Sequence, residues 1–507
     1  MTAGTPRLDV ALINPGSRTR IYQSLGARLT AVENPVWAGL IASFVRQRGY
    51  SVEIVDAEAD DLSPDQAAAR IAELAPRLAA VVVYGHQPSA STQNMTGASA
   101  VTTAIRRAVP EQKILMVGGH VAALPARTLA EEACDFVARD EGLYATVDLI
   151  EALRSDATPD LSKVRGLVYR SGPRVVSNPA APLVMDVEIE MPGGAWDLLP
   201  MDRYRAHNWH CFGHLERQPY AAIYTTLGCP YHCSFCCIQA PFKAGEQVLG
   251  IKESVNSYRF WSPARVVEEI DLLVNRYGVR NIKFADEMFV LNARHVLGIC
   301  DLLIERDYGL NIWAYARIDT VKEGMLDKLK RAGFNWLALG IEAADERVLI
   351  SVDKKYRVSE IHDTVRRIKE AGINIIGNYI FGLPEDTRET MQRTLDLALD
   401  LNCEFANFYS AMAYPGSPLY GQALALGWAL PDKWSGYSQH AIDTLPLPTR
   451  HLSAGEVLQF RDRAFDSYFS HQPYLSMVRA RFGDATVDHI REMTAHRIER
   501  IYAATTA

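Results

Sequence analysis

Residues 227–239 read LGCPYHCSFCCIQ and hold four of the chain's eight cysteines. Three of these, Cys229, Cys233 and Cys236, stand in a C-x3-C-x2-C frame. Zinc usually takes four closed ligands as two paired sets; no second pair occurs here, so zinc would need a distant histidine. Three thiolates on one short loop suit a four-iron, four-sulfur cluster in which one iron has no protein ligand and stays open to a substrate or cofactor. Cys237 breaks the spacing and is set aside. Cys134, Cys211, Cys300 and Cys403 are scattered and read as small apolar fillers.

Bulk properties bound the setting of that loop. With 507 residues, 48% hydrophobic and 22% charged, the chain has material for two or three cored domains. A formal charge of −7 lacks the basic footprint of a nucleic-acid binder. No apolar run approaches the roughly 20 residues that span a bilayer, and the N-terminus lacks the pattern of a signal peptide. The reading is a cytoplasmic protein without membrane insertion, in a reducing compartment where clustered thiols act more often as metal ligands or catalysts than as disulfides.

The elements that must position the loop fall into three parts and a linker. Over residues 1–155, short Val/Ile/Ala-rich runs (LDVALINPG, YSVEIVDAE, LAAVVVYGH, KILMVGGHV, CDFVARDEG) alternate with helical stretches. That alternation predicts a doubly wound, parallel α/β sheet whose ligand crevice lies at the strand C-termini. Four loops fall there: Asn14-Pro15-Gly16, Gly85-His86-Gln87, Gly118-Gly119-His120 and Asp140-Glu141-Gly142. Their small and polar residues suit close approach by a nucleotide-like or cofactor-sized ligand. Residues 156–219 form a turn-rich linker with a hairpin around RSGP, then a segment holding Trp196, Trp209, His207, His210 and His214. That segment reads either as a metal site or as aromatic packing between domains. Residues 220–431 again alternate strand and helix, as in a full or partial βα barrel, and the cysteine loop follows its first strand, where a barrel keeps reactive loops. Residues 432–507 are an amphipathic helical segment. It packs over the barrel mouth, with Tyr437, His440 and Tyr468 as candidate substrate contacts.

The cysteine frame, with Phe235 before its last cysteine, resembles the signature of the radical S-adenosylmethionine (SAM) superfamily. The resemblance implies that the open iron holds the amino and carboxylate groups of SAM and that an electron cleaves the sulfonium to a 5′-deoxyadenosyl radical. It implies Asp286 and Glu287 of FADEMF for the methionine amine, Arg317 of YARID for the carboxylate, Glu342 of LGIEA for the ribose, and the NYIFGLP strand end for adenine. A doubly wound domain ahead of such a barrel is similar to the flavodoxin-like cobalamin-binding class of the superfamily. This implies cobalamin on Asn14, Gly16 and His120, its nucleotide tail on Gly118, Gly119, Glu141 and Gly142, and His86, Gln87 and Ser89 against its lower face or merely at its rim. No histidine has an aspartate two residues before it, so the Asp-x-His-x-x-Gly motif for a lower cobalt ligand is absent. The resemblance further implies a small-molecule substrate and a reducing partner such as a flavodoxin or ferredoxin. Methyl transfer to an unactivated carbon is the leading expectation and cobalamin-assisted oxidative cyclisation, as in anaerobic porphyrin cyclases, the alternative. A sensor without turnover is the reading from another class; the absence of a second cysteine triad disfavours a methylthiotransferase.

Overall fold

The computed structural model describes residues 7–16, 18–23, 30–154, 158–213, 215–252 and 258–502. Strands β1 (Val10–Asn14), β2 (Val52–Asp56), β3 (Leu78–Val82), β4 (Ile114–Val117) and β5 (Phe136–Ala138) run parallel in the order β2-β1-β3-β4-β5. Strand order reverses beside β1, which opens the ligand crevice typical of flavodoxin-like sheets. Nearly every residue of β1, β3 and β4 is buried, as strands covered by helices on both faces require. The hairpin of β6 (Leu167–Ser171) and β7 (Arg174–Ser177) adds antiparallel to β5 and extends the sheet to seven strands.

Strand β8 (Tyr220–Ile223) opens the second unit. A short antiparallel pair follows, β9 (Thr226–Leu227) with β10 (Arg259–Phe260). Then come β11 (Asn281–Phe284), β12 (Asn311–Arg317), β13 (Phe334–Glu342), β14 (Asn374–Phe381) and β15 (Phe405–Ser410). Strands β8 and β11–β15 form one six-stranded parallel sheet in sequential order, a partial βα barrel in which β8 does not pair with β15. Its helices are punctuated in the sequence: Ser262 caps Pro263–Tyr277, which ends on a left-handed Gly278, and a Thr387/Thr390 capping box opens Arg388–Leu401.

Helices Ala454–Phe469, Gln472–Phe482 and Asp484–Ala495 close the β15 side. Arg461 Nε donates to the Phe408 carbonyl at 2.7 Å and the Tyr468 hydroxyl to the Cys403 carbonyl at 2.6 Å. One continuous apolar cluster runs from one face of the first sheet through Trp196 and Trp209 into the barrel, which fixes the two halves against each other.

Candidate active site

The thiol loop is entered through a clamp. Asp286, just past β11, accepts from the backbone N–H of Thr225 (2.6 Å) and Thr226 (3.0 Å) and from the Thr225 hydroxyl. Burial pushes its carboxyl up to about 7. Beyond the clamp, Gly228 takes φ +80°, and Cys229 follows. The loop is pinned from outside, where Ser234 N–H donates to the Val352 carbonyl (3.1 Å) and Leu419 N–H to the Ser234 carbonyl (2.8 Å), and from within, where Gln239 Nε2 donates to the Cys229 carbonyl (2.9 Å). Cys229 is buried while Cys233 and Cys236 are half-buried.

Burial, reinforced by Cys237, Cys229 and Cys233, pushes the Cys236 thiol far up, and burial lifts Cys229 to about 12. Cations at the loop would offset the thiolate charge that burial penalises, which is what a metal cluster supplies. Among the described residues no trio of His, Cys, Asp or Glu side chains is arranged around a single metal ion. A cubane makes a different demand, because it takes each thiolate on a separate iron.

Four acidic or basic side chains bear on the loop and its surroundings: Glu287, Asp286, Arg317 and Glu342. Glu287 is the free one: its Oε2 is buried without a hydrogen-bond partner, burial pushes it up to about 8, and it shares a narrow cleft with Cys237, Ile238, Tyr84 and Gly119. An orphaned acceptor beside the thiols fits a cationic amine. Asp286, expected beside it, has both its oxygens engaged at the loop entrance by Thr225 and Thr226. Arg317 closes its fork on Asp319 (2.9 and 3.1 Å) instead of presenting it outward, and turns Nη1 to Cys233 Sγ at 3.7 Å. Glu342 is buried at φ +59°, paired with Lys354, in a backbone conformation costly for a non-glycine residue. Gly340 leaves room for the pair, since a Cβ there would stand 2.5 Å from Glu342 Oε1.

The strand-end loops of the first sheet divide. His86 and Gln87 reach the barrel lumen, where Gln87 Nε2 donates to the Tyr315 hydroxyl and His86 Nε2 lies 2.6 Å from the Asn34 carbonyl. Ser89 heads the helix Ala90–Ala108. Apart from Gly119, the other residues expected to cradle cobalamin are engaged by the fold. Glu141 forms a buried ion pair with Arg259 (2.7 Å) and accepts from Val184 N–H (3.1 Å). His120 is buried edge-on to Trp434, 4.4 Å between ring centres, and burial depresses it to about 3. Gly118 abuts the Val83 carbonyl and Gly142 the Val117 side chain, so their missing side chains answer to packing. Asn14 donates to Asp56 (2.7 Å), and Gly16 lies against the Ala57 carbonyl.

Sequence reasoning missed the floor of the main cavity. A space of about 410 Å³ lies between the halves, walled by Trp209, Trp313, Tyr315 and Phe408. At its edge Glu33 gathers Lys283 Nζ (2.9 Å), the Tyr220 hydroxyl (2.9 Å), His86 Nδ1 (3.2 Å) and His207 Nε2 (3.9 Å). Burial alone would raise Glu33, yet His86 and Lys283 hold it well below the usual carboxylate range. The available signal was Lys283, a lone charge inside the apolar strand NIKF. Trp209 and His210 are buried in aromatic packing against Trp313, while His207 faces the cavity and His214 lies outside the described residues. His440 lines the cavity; Tyr437 and Tyr468 are buried in packing.

A flavodoxin-like sheet set against a partial barrel, with a thiol loop at the first barrel strand's end, defines a class of enzymes that pair a corrinoid with a radical-generating cluster. The radical SAM superfamily model matches residues 223–398 and the B12 binding domain model residues 22–150. The chain is thus a cobalamin-dependent radical SAM enzyme, and its cofactors are a four-iron, four-sulfur cluster, SAM and cobalamin. It is 28% identical over 463 residues to an uncharacterized methyltransferase of Pyrococcus horikoshii, covering 91% of this chain and 92% of that one. It is 27% identical over 458 residues to the anaerobic magnesium-protoporphyrin IX monomethyl ester cyclase of Cereibacter sphaeroides, covering 86% and 67%. Its fold is similar to that of OxsB with aqua-cobalamin and SAM bound (TM-score 0.68, 14% identity, 95% and 71% coverage). It is also similar to the methyltransferase TsrM of Kitasatospora setae (TM-score 0.61, 18% identity, 82% and 77% coverage). No helix among the described residues is long and apolar enough to cross a membrane.

Proposed function

We propose that this chain transfers a methyl group from cobalamin to an unactivated carbon of a small molecule, with Cys229, Cys233 and Cys236 ligating the cluster. The observation that carries the reading is the thiol trio in the loop after β8, with the buried Oε2 of Glu287 left without a partner nearby. When bound, the cluster with SAM supplies a carbon-centred radical, and cobalamin supplies the methyl group. The chain's own residues do the rest. Glu287 would receive the methionine amine and Glu342, held by Lys354, would take the ribose hydroxyls, while Asp286 fixes the loop that presents the thiols. His86 and Gln87, which line the cavity, would help to hold cobalamin, and the aromatic walls of the lumen would orient the substrate and exclude water. In this reading residues 1–155 bind cobalamin, 156–219 link, 220–431 form the radical SAM barrel and 432–507 cover its mouth. The protein works in the cytoplasm, where its free thiols stay reduced, and takes electrons from a flavodoxin or ferredoxin.

The test is anaerobic. Reconstituted protein, given dithionite and SAM carrying a deuterated methyl group, is expected to form 5′-deoxyadenosine, and Cys233→Ala is expected to form none. In labelled extracts of a producing strain compared with a deletion strain, a metabolite heavier by the intact deuterated methyl group supports methylation. The 27% identity to a cyclase over most of the chain favours oxidative ring closure as the second reading. That reading expects 5′-deoxyadenosine and a strain-dependent product without the label.

A further inference from the structure

We propose that Arg317 sets the reduction potential of the cluster through Cys233, with Asp319 as its counterweight. The proposal rests on the reading of the cysteine trio as cluster ligands. Arg317 ends β12 with its side chain 3% exposed. Three contacts hold it: the fork onto Asp319 at 2.9 and 3.1 Å, the Tyr231 ring 3.8 Å beneath the guanidinium carbon, and its own N–H on the Thr320 hydroxyl at 3.1 Å. So fixed, it directs Nη1 to Cys233 Sγ at 3.7 Å. Tyr231 lies within the cysteine loop itself, so the stack ties the guanidinium to the loop's backbone.

Accepting an electron adds negative charge to a cluster and to its thiolate sulfurs. An N–H donor on a ligating sulfur and a fixed cation nearby stabilise that charge and make reduction easier. Little water reaches Arg317, so its field on Cys233 is weakly screened. Asp319, 28% exposed, opposes this field from the far side of the guanidinium. Arg317 is thus a positioning residue for charge, acting through a cluster ligand.

The experiment is EPR-monitored spectroelectrochemistry of reconstituted protein without SAM. Arg317→Gln is expected to lower the midpoint, with the ratio of reduced to oxidised cluster at a fixed potential falling about tenfold, which is about 59 mV for one electron. Arg317→Lys keeps the charge and is expected to shift less. Asp319→Asn uncovers the cation and is expected to shift the midpoint the opposite way. Unchanged midpoints in Arg317→Gln and Asp319→Asn, or shifts of the same sign in both, overturn the proposal. Absence of a cubane signal in the unsubstituted protein overturns the cluster reading itself, a separate result.

Discussion

Two Asp-Glu pairs sit at corresponding places in the two sheets, Asp140-Glu141 after β5 and Asp286-Glu287 after β11. In both, the aspartate is buried and clamps backbone. Asp140 accepts from Ala181 N–H (2.9 Å) and Gly142 N–H (3.0 Å), and Asp286 from Thr225 and Thr226. Burial raises both, to about 6 and about 7. The glutamates differ. Glu141 meets Arg259 across the junction of the two halves, whereas Glu287 Oε2 meets nothing. One fold thus uses the same dipeptide as a structural bolt in one sheet and leaves an acceptor vacant in the other. Solvation explains why a vacancy matters: a buried carboxylate without partners is costly, and a fold keeps one only where something else completes it.

The sharpest way to break the comparison is to remove each glutamate. Glu141→Ala strands the Arg259 guanidinium, whose side chain is 2% exposed, and is expected to cost about 3–5 kcal/mol of unfolding free energy in urea. A cost under about 1 kcal/mol would mean that the bolt carries no load.

Glu287→Gln is expected to act with the opposite sign and more weakly. Its carboxyl is raised from 4.5 to about 8, so the folded state holds a proton that the unfolded state releases between those values. Stability from that source is full below about pH 4.5 and declines as pH rises towards about 8. The amide cannot ionise, so the variant is expected to lose less stability than the parent between pH 5.5 and 8.5, by about 1 kcal/mol or more. Urea midpoints at the two pH values check this, and parallel pH profiles would show that Glu287 already has a partner.

Why the sequence distinguished these pairs poorly follows from where their partners lie. The strands were legible because buried parallel strands read as apolar runs between turn residues, and the cysteine frame because its three thiols are local. The RSGP hairpin was legible from its turn, but its addition to the edge of β5 was not, since edge pairing is decided in tertiary packing. Glu141 meets Arg259, 118 positions away, and Glu33 meets Lys283, 250 away. A polar residue at a strand end looks the same in sequence whether it faces a crevice or a neighbouring domain, so His120 and Glu141 resembled ligand contacts and proved to be interior.

The smallest expected effect separates two adjacent glycines. Both Gly118 and Gly119 were expected to make way for a ligand, yet only one is required by the fold. A Cβ on Gly118 would lie 2.2 Å from the Val83 carbonyl oxygen, backbone against backbone. Gly118→Ala is therefore expected to destabilise by about 2 kcal/mol or more. At Gly119 the nearest atoms to a Cβ would be Ser91 Oγ at 3.6 Å and Pro241 Cδ at 3.9 Å, ordinary contact distances. Gly119 also opens the short helix Gly119–Ala123, where alanine is the better helix former. Gly119→Ala is thus expected to leave urea stability within about 1 kcal/mol of the parent. That neutrality makes it a clean probe of the crevice, because any weakening of hydroxocobalamin binding, read from the visible absorption of the bound corrinoid, cannot then be charged to unfolding. Unchanged binding together with unchanged stability would move the nucleotide tail away from β4 and towards the His86 side of the sheet.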